Sequence, residues 1–115
     1  MSKLNELKCV ACRSKEPTLS DLEIIEYLTE IPSWLVREVN GIKHLSRIYN
    51  FSNFIQALKF TNQVGEIAEQ EDHHPTLVTE WGRVTVDWWT HKIGGLHKND
   101  FIMAAKTDKL IVSVH

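Results

Sequence analysis

The chain has 115 residues, of which 43% are hydrophobic and 24% are charged, and its formal net charge is -2 at pH 7. This length suits one domain with one core and argues against a second domain. The weak negative charge gives no excess of basic residues for binding phosphate backbones, so nucleic acid is not an expected partner.

Residues 1–17 are predicted to be a flexible N-terminal arm, followed by a single domain over residues 18–115. The arm is charged throughout and lacks the continuous apolar run of a signal peptide or membrane span, which predicts a cytoplasmic protein without membrane contact. Cys9 and Cys12 form a Cys-x-x-Cys pair, but a structural zinc site needs four ligands and the chain has no second pair. Two surface thiols are the favoured interpretation. A redox pair and a zinc ion shared between two subunits are the alternatives.

The domain is predicted to begin with a helix and a hairpin. Ser20 and Glu23 fit a capping box that starts the helix, and Pro32 ends it because proline has no amide donor. Two β-prone runs follow on either side of Asn40-Gly41, a pair that readily takes the positive φ angles of a type I′ turn.

A second helix is predicted over residues 52–71, capped by Ser52 or Asn53. Its apolar residues cover more than one side of the cylinder, which predicts packing against more than its own sheet. These residues are Phe54, Leu58 and Ala68 roughly on one side, with Phe60, Val64 and Ile67 around it.

A second hairpin is predicted after Pro75, with its turn near Gly82. Side chains of its longer strand alternate between the two faces of a sheet. The face towards the core is predicted to carry Val84, Val86 and Trp88, and the face towards water or a ligand is predicted to carry Thr85, Asp87, Trp89 and His91.

A closing helix is predicted to begin near Asn99 or Asp100, after the Gly94-Gly95 connector. The order α-β-β-α-β-β-α indicates an α+β fold, in which a four-stranded antiparallel sheet carries helices packed on one face in two layers. For the C-terminal LIVSVH, a helix extension, a strand and a loose tail are all open.

Three histidines, His73, His74 and His91, can be explained in three ways. In the first explanation they are surface or helix-end residues. The joint pattern weakens this explanation, because a pair at a strand entrance and a third histidine at a strand end can converge across adjacent antiparallel strands. They can bind a metal ion with Asp100 or Glu69, but adjacent histidines on an extended chain point to opposite faces and chelate one ion poorly. They can also transfer protons near neutral pH.

The segments EQEDHHP and THKIGGLHKND resemble the signature of pterin-4a-carbinolamine dehydratases. The resemblance extends from about residue 20 to residue 108, and the stretch TEWGRVTVDWWTHKIGGLHKNDFIMAA is similar to the bacterial branch of that family. The matching positions are Glu69, His73, His74, Pro75, His91 and Asp100.

The resemblance implies an enzyme that dehydrates a 4a-hydroxytetrahydropterin to quinonoid dihydropterin and water. This reaction recycles tetrahydropterin for phenylalanine hydroxylase. The resemblance also implies a homodimer or homotetramer that uses no metal and no other cofactor. Some relatives act as dimerisation cofactors of transcription factors, so a non-catalytic binding module of the same fold is the rival interpretation.

The resemblance also implies roles for individual residues. His73 and His91 are the acid and base, and His74 binds or orients the pterin. Asp100 either fixes the tautomer of a catalytic histidine or only caps the last helix, and Glu69 is either a pocket residue or a solvated carboxylate. The implied catalytic residues are His73, His74, His91 and Asp100, and the implied substrate-binding residues are Asp72, His73, His74, Trp89, Thr90, His91, Lys92 and Glu69.

One departure from the family pattern concerns the surface on which a pterin ring would stack. Many relatives carry an aromatic residue two positions after the proline, where this chain has Leu77. Trp81 or Trp89 is therefore the candidate for that surface, and burial in the core is the alternative role for the tryptophans.

Overall fold

The computed structural model of the protein describes residues 4–7, 9 and 17–114. In this part of the chain the helices and strands follow in the order α-β-β-α-β-β-α, which confirms the predicted α+β fold. The elements are α1 (Asp21–Leu28), β1 (Leu35–Val39), β2 (Ile42–Asn50), α2 (Phe54–Glu71), β3 (Thr76–Glu80), β4 (Arg83–Trp88) and α3 (Lys98–Val114).

Local side-chain chemistry fixes the ends of the first elements. The Ser20 hydroxyl accepts a hydrogen bond from the Glu23 amide at 3.2 Å, and the Glu23 carboxylate accepts one from the Ser20 amide at 2.9 Å. The predicted capping box is therefore confirmed. Asn40 and Gly41 form the β1–β2 turn with φ angles of 53° and 80°. Of the two predicted caps of α2, the structure uses Asn53.

The strands form one antiparallel sheet in the order β1-β2-β4-β3, and α2 and α3 both pack against it. β4 therefore lies between β2 and β3, and the pairs Leu45↔Trp88 and Thr76↔Asp87 set the register on its two sides. Because the strands are antiparallel, the segment that enters β3 and the segment that leaves β4 meet at one end of the sheet.

The core lies between the sheet and the helices. Val84, Val86 and Trp88 are each fully buried, which confirms the predicted core face of β4. Burying side chains of this size stabilises the fold by roughly 1.5–3 kcal/mol each. The core also includes Leu45 and Tyr49 of β2, Phe60, Val64 and Ala68 of α2, and Phe101, Met103 and Ala104 of α3.

Asp108 connects α3 to the sheet on the helix side. Its carboxylate accepts hydrogen bonds from the Trp34 indole at 2.9 Å, from the Arg47 guanidinium at 2.6 Å and from the Tyr49 hydroxyl. Burial and the neighbouring Asp108 carboxylate raise the pKa of the Tyr49 phenol, so that it stays protonated and donates. These three charge-assisted contacts hold α3 across β2.

The outer side of α2 is apolar and exposed near its start. Phe54 and Leu58 are each 43% exposed and Ile55 is 78% exposed. Ala68, which the helical period places on the same side as Phe54 and Leu58, is only 1% exposed. That side of α2 is therefore covered along only part of its length.

The two ends of the described chain both pack on α3 or extend it. α3 runs to Val114, so the C-terminal segment is a helix extension as far as it is described. The 3₁₀ turn Leu4–Glu6 packs against α3 and buries Leu4, in contrast to the loose arm that the sequence predicts. Within the described residues, no helix combines the length and the apolar character needed to cross a bilayer.

Cys9 also differs from the predicted surface thiol. It is half-buried, and its amide donates a hydrogen bond to the Glu71 carboxylate at 2.8 Å. Burial and then the negative charge of Glu71 raise the pKa of the thiol to about 12, which makes it a weak nucleophile at neutral pH. Cys12 lies outside the described residues, so the predicted pair is described only at Cys9.

Candidate active site

The chain turns sharply between α2 and β3, where the two adjacent histidines lie. Asp72 adopts the left-handed conformation with φ 51°, and the His73 amide donates to the Ala68 carbonyl at 3.1 Å to close the helix. The side chain of His73 is 10% exposed, whereas that of His74 is 55% exposed. The two imidazoles therefore point to different environments, as the extended chain at this position predicts.

A buried carboxylate organises the inner part of this region. The Asp100 side chain is fully buried in the first turn of α3. It accepts hydrogen bonds from His73 Nε2 at 2.6 Å, from the Thr90 hydroxyl at 2.8 Å and from the His97 amide at 2.9 Å. Burying a carboxylate away from water costs free energy unless hydrogen-bond donors replace the lost water. These three contacts therefore allow Asp100 to be buried.

Asp100 makes a contact that corresponds to each of the two alternatives that the sequence left open. Its bond to the His97 amide caps the start of α3, and its bond to His73 fixes that imidazole. An ionised carboxylate only accepts, so His73 Nε2 carries the hydrogen and Nδ1 is the nitrogen that can take up a proton. The His73 ring also lies nearly parallel to the Trp88 indole. The interplanar angle is 7° and the ring centroids are 5.8 Å apart.

His74 and Glu69 form a separate pair on the surface. His74 Nε2 lies 2.8 Å from the Glu69 carboxylate, and the Glu69 side chain is 78% exposed. Such exposed pairs contribute little to stability. The pair therefore presents an imidazole and a carboxylate to solvent rather than supporting the core.

The sequence predicted His91 at the end of a strand, and this prediction is wrong. β4 ends at Trp88, Thr90 forms a bridge with Gly95, and His91–Ile93 form a 3₁₀ turn that also contains Lys92. The turn forms because Gly94 takes a φ angle of 63° and folds the chain back onto Thr90. The exposed His91 ring stacks on the Trp89 indole with centroids 4.3 Å apart.

The predicted site residues gather at one end of the sheet in three groups. The first group is His73, Thr90 and Asp100, the second is His74 and Glu69, and the third is Trp89 and His91. The strand register places them together, because Asp72 to Pro75 precede β3 and Trp89 to Lys92 follow β4. Trp81, the other candidate stacking residue, is 74% exposed in the β3–β4 turn at the opposite end of these strands.

One residue of this region was not singled out from the sequence. The ring of His44, on β2, stacks on the Trp89 indole. The ring centroids are 3.8 Å apart and the interplanar angle is 2°. Alternation along β2 places His44 on the sheet face that Asp87 and Trp89 share, but that pattern does not give the register between β2 and β4.

The same residues do not form a metal site among the residues that the structure describes. In the portion of the chain that the structure describes, no group of three or more His, Cys, Asp or Glu side chains is arranged to hold a metal ion. His73 and His74 are instead each committed to a different carboxylate.

Comparison with known proteins gives a family and a related structure. The family profile described as Pterin 4 alpha carbinolamine dehydratase matches residues 17–110. A crystal structure of a transcriptional coactivator/pterin dehydratase from Brucella melitensis is 31% identical in sequence, with a TM-score of 0.72, over 81% of this chain and 97% of that chain. The profile takes in all four strands and at least part of every helix of the domain, and it includes every predicted site residue. The chain therefore belongs to the pterin 4 alpha carbinolamine dehydratase family.

Proposed function

We propose that this protein dehydrates a 4a-hydroxytetrahydropterin, the 4a-carbinolamine, to quinonoid dihydropterin and water. Besides family membership, one observation carries the proposal: the His73 imidazole is held at Nε2 by the buried carboxylate of Asp100, 2.6 Å away. A histidine oriented in this way is the arrangement expected of a general acid or base. Two further imidazoles, His74 and His91, lie at the same end of the sheet.

The reaction needs one proton acceptor and one proton donor. The bond from C4a to the hydroxyl oxygen breaks, a proton joins that oxygen to release water, and the N5 proton is removed as the C4a–N5 double bond forms. We assign the base to Nδ1 of His73, because Asp100 occupies Nε2 and stabilises the imidazolium that results. We assign the acid to His91, whose exposed ring can be protonated by solvent.

The remaining site residues are proposed to hold the pterin. His74 and Glu69 present a donor and acceptor pair beside His73, and Thr90 shares the Asp100 carboxylate with it. Asp72 and Lys92 are exposed on the two chain segments that meet at this end of the sheet. The full proposed binding set is Asp72, His73, His74, Trp89, Thr90, His91, Lys92 and Glu69.

The product would re-enter the cycle of an aromatic amino-acid hydroxylase, and we propose phenylalanine hydroxylase as the functionally linked enzyme. We also propose a cytoplasmic location, where the protein would act together with that hydroxylase. The rival function is a non-catalytic dimerisation module. Two observations favour keeping that rival as a second candidate. The Brucella protein is described both as a transcriptional coactivator and as a pterin dehydratase, and the start of α2 is apolar and exposed.

Stopped-flow measurement of carbinolamine dehydration separates the two functions. Purified protein added to freshly made carbinolamine at neutral pH is expected to accelerate dehydration in proportion to protein concentration. Folded protein that left the spontaneous rate unchanged would eliminate the enzymatic proposal and favour the binding module.

We expect the protein to be a homodimer or homotetramer. Phe54, Ile55 and Leu58 expose a continuous apolar start of α2, and β1 and β3 are open sheet edges. Light scattering at micromolar concentration should give a multiple of the 13.3 kDa chain mass. The substitution Ile55→Asp should lower the measured mass, whereas Ile25→Asp on α1, where Ile25 is 61% exposed, should not. A monomer for the unsubstituted protein would contradict this expectation.

Activity is expected to survive removal of metal ions, because the proposed chemistry only moves one proton to an imidazole and one proton from an imidazole. Prolonged dialysis against a chelator should leave kcat and KM unchanged. Loss of turnover that zinc or iron restored would replace histidine acid–base catalysis with a metal-dependent reaction.

A further inference from the structure

Three aromatic rings are stacked on the sheet face opposite the helices. The His44 ring lies 3.8 Å from the Trp89 ring at an interplanar angle of 2°, and the His91 ring lies 4.3 Å from the Trp89 ring at 27°. Two imidazoles are too wide to lie side by side at such distances from one indole. They therefore occupy its opposite faces, so Trp89 is held between them and does not offer a free face for stacking a pterin ring; it can contact the substrate only through its edge.

The His44 end of the stack is fixed to the sheet. His44 is 6% exposed, and its Nδ1 lies 3.2 Å from an Asp87 carboxylate oxygen, to which it donates. The other oxygen of Asp87 accepts a hydrogen bond from the Ser46 hydroxyl at 2.7 Å, and the Arg37 guanidinium lies 3.7 Å from the oxygen that His44 contacts. The imidazole of His44 is thereby held by a buried, charge-assisted contact.

Strand register explains why the three rings meet. Leu45 pairs with Trp88, so the next residues outward, His44 and Trp89, lie opposite each other on the other face of the sheet. His91 follows Trp89 in the 3₁₀ turn, where its ring is exposed to solvent. The stack thus runs from a rigid strand to an exposed turn.

We propose that His44 is a positioning residue for His91 and acts through Trp89. Asp87 orients His44, the His44 ring fixes one face of the indole, and the other face fixes the His91 imidazole. Without the stack, the exposed His91 side chain would sample several rotamers. Each turnover would then include the entropy cost of fixing one rotamer. The consequence for catalysis rests on the proposed role of His91, whereas the positioning itself does not.

Turnover of three variants measures the catalytic consequence. His44→Ala removes the ring and should lower kcat about threefold to thirtyfold with little change in KM, because a lost aromatic contact misplaces the acid without removing a substrate contact. His44→Phe retains a flat ring without the bond to Asp87 and should recover part of the loss. Ile48→Ala is the matched control, since Ile48 lies on the same face of β2 but is 53% exposed and outside the contact between His44 and Asp87; its kcat should equal that of the unsubstituted protein.

Proton NMR of the His91 ring measures the positioning directly and independently of turnover. The His91 signals are identified by their absence from the spectrum of His91→Ala, and the indole ring current should displace them from the position of a free imidazole. In His44→Ala they should move towards that position, whereas in Ile48→Ala they should not. Circular dichroism confirms folding, and His44→Phe provides a second folded variant if the alanine protein is unstable.

The outcomes separate the two proposals. If His91→Ala retains full turnover, the proposed acid is wrong, and the NMR signals alone decide whether His44 positions the ring. If the His91 signals in His44→Ala match those of the unsubstituted protein, the positioning is overturned whatever the turnover. If the signals move and kcat does not, although His91→Ala is inactive, the positioning is upheld and its proposed consequence for catalysis is overturned.

Discussion

Removing the imidazole of His73 or of His91 is expected to lower kcat for carbinolamine dehydration by about 10²- to 10⁴-fold, the usual contribution of one positioned acid or base. For His91 the exposed ring can be truncated to alanine with little effect on folding. For His73 the informative change is His73→Gln, because the glutamine amide can still donate to the buried Asp100 but cannot take up a proton. Stopped-flow turnover gives the rates, and circular dichroism confirms the fold.

His74 supplies the matched contrast for this experiment. It is next to His73 in the chain, but it is 55% exposed and, among the described residues, is paired with Glu69. If it chiefly binds the pterin, His74→Ala should raise KM more than it lowers kcat. The double variant at His73 and His91 should lose less than the product of the two single losses, since an acid and a base that act as a unit are not additive. Near-normal kcat in folded His73→Gln or His91→Ala would show that these residues are not the base and acid.

Replacing Asp100 with asparagine is expected to lower kcat by about 10²-fold or more, close to the effect of removing the base itself. Three donors converge on Asp100, and an amide has only one oxygen to receive them. The amide nitrogen would then require an acceptor, which His73 can supply only by moving its hydrogen from Nε2 to Nδ1. That tautomer removes the lone pair to which we assign the N5 proton. We also expect a loss of about 1–3 kcal/mol in the free energy of unfolding, because a buried donor is left unsatisfied.

Asp108→Asn distinguishes loss of catalysis from loss of stability. Asp108 is also on α3 and also accepts from three donors, but these are Trp34, Arg47 and Tyr49, away from the site. Urea unfolding should show destabilisation of similar size in both variants, whereas only Asp100→Asn should lose turnover. If Asp100→Asn kept normal kcat, the carboxylate would be a helix cap and nothing more.

The fold was predictable where it depends on neighbours in the chain. The Ser20–Glu23 box and the Asn40-Gly41 turn are local chemistry that a sequence displays directly, and both are as predicted. Alternation in β4 likewise placed Val84 and Val86 in the core. What a sequence does not display is which distant segments meet. The docking of Leu4 on α3 and the burial of Cys9 both depend on such contacts.

The contacts within the candidate site were only partly predictable from the sequence, and its composition stays a prediction. Family resemblance selected His73, His91 and Asp100, but it left open whether Asp100 holds a histidine or a helix. The answer depends on the full burial of its carboxylate, which results from the packing of α3 on the sheet. His44 was missed because the register of β2 on β4 is set by packing of the whole sheet rather than by either strand alone.

The three hydrogen bonds to Asp100 divide the site into a preorganised half and an adaptable half. His73 cannot turn without disturbing the start of α3 and the Thr90 hydroxyl, so Nδ1, the nitrogen that we propose as the base, is held in one orientation. His91 is oriented by stacking on Trp89 and lies in an exposed turn, so neighbouring residues there can change without breaking a buried hydrogen bond. Changes that broaden the range of accepted pterins are therefore expected to accumulate around the His91 turn, while the pocket around Asp100 tolerates almost none. The carboxylate that caps a helix thus also limits which part of the site can evolve.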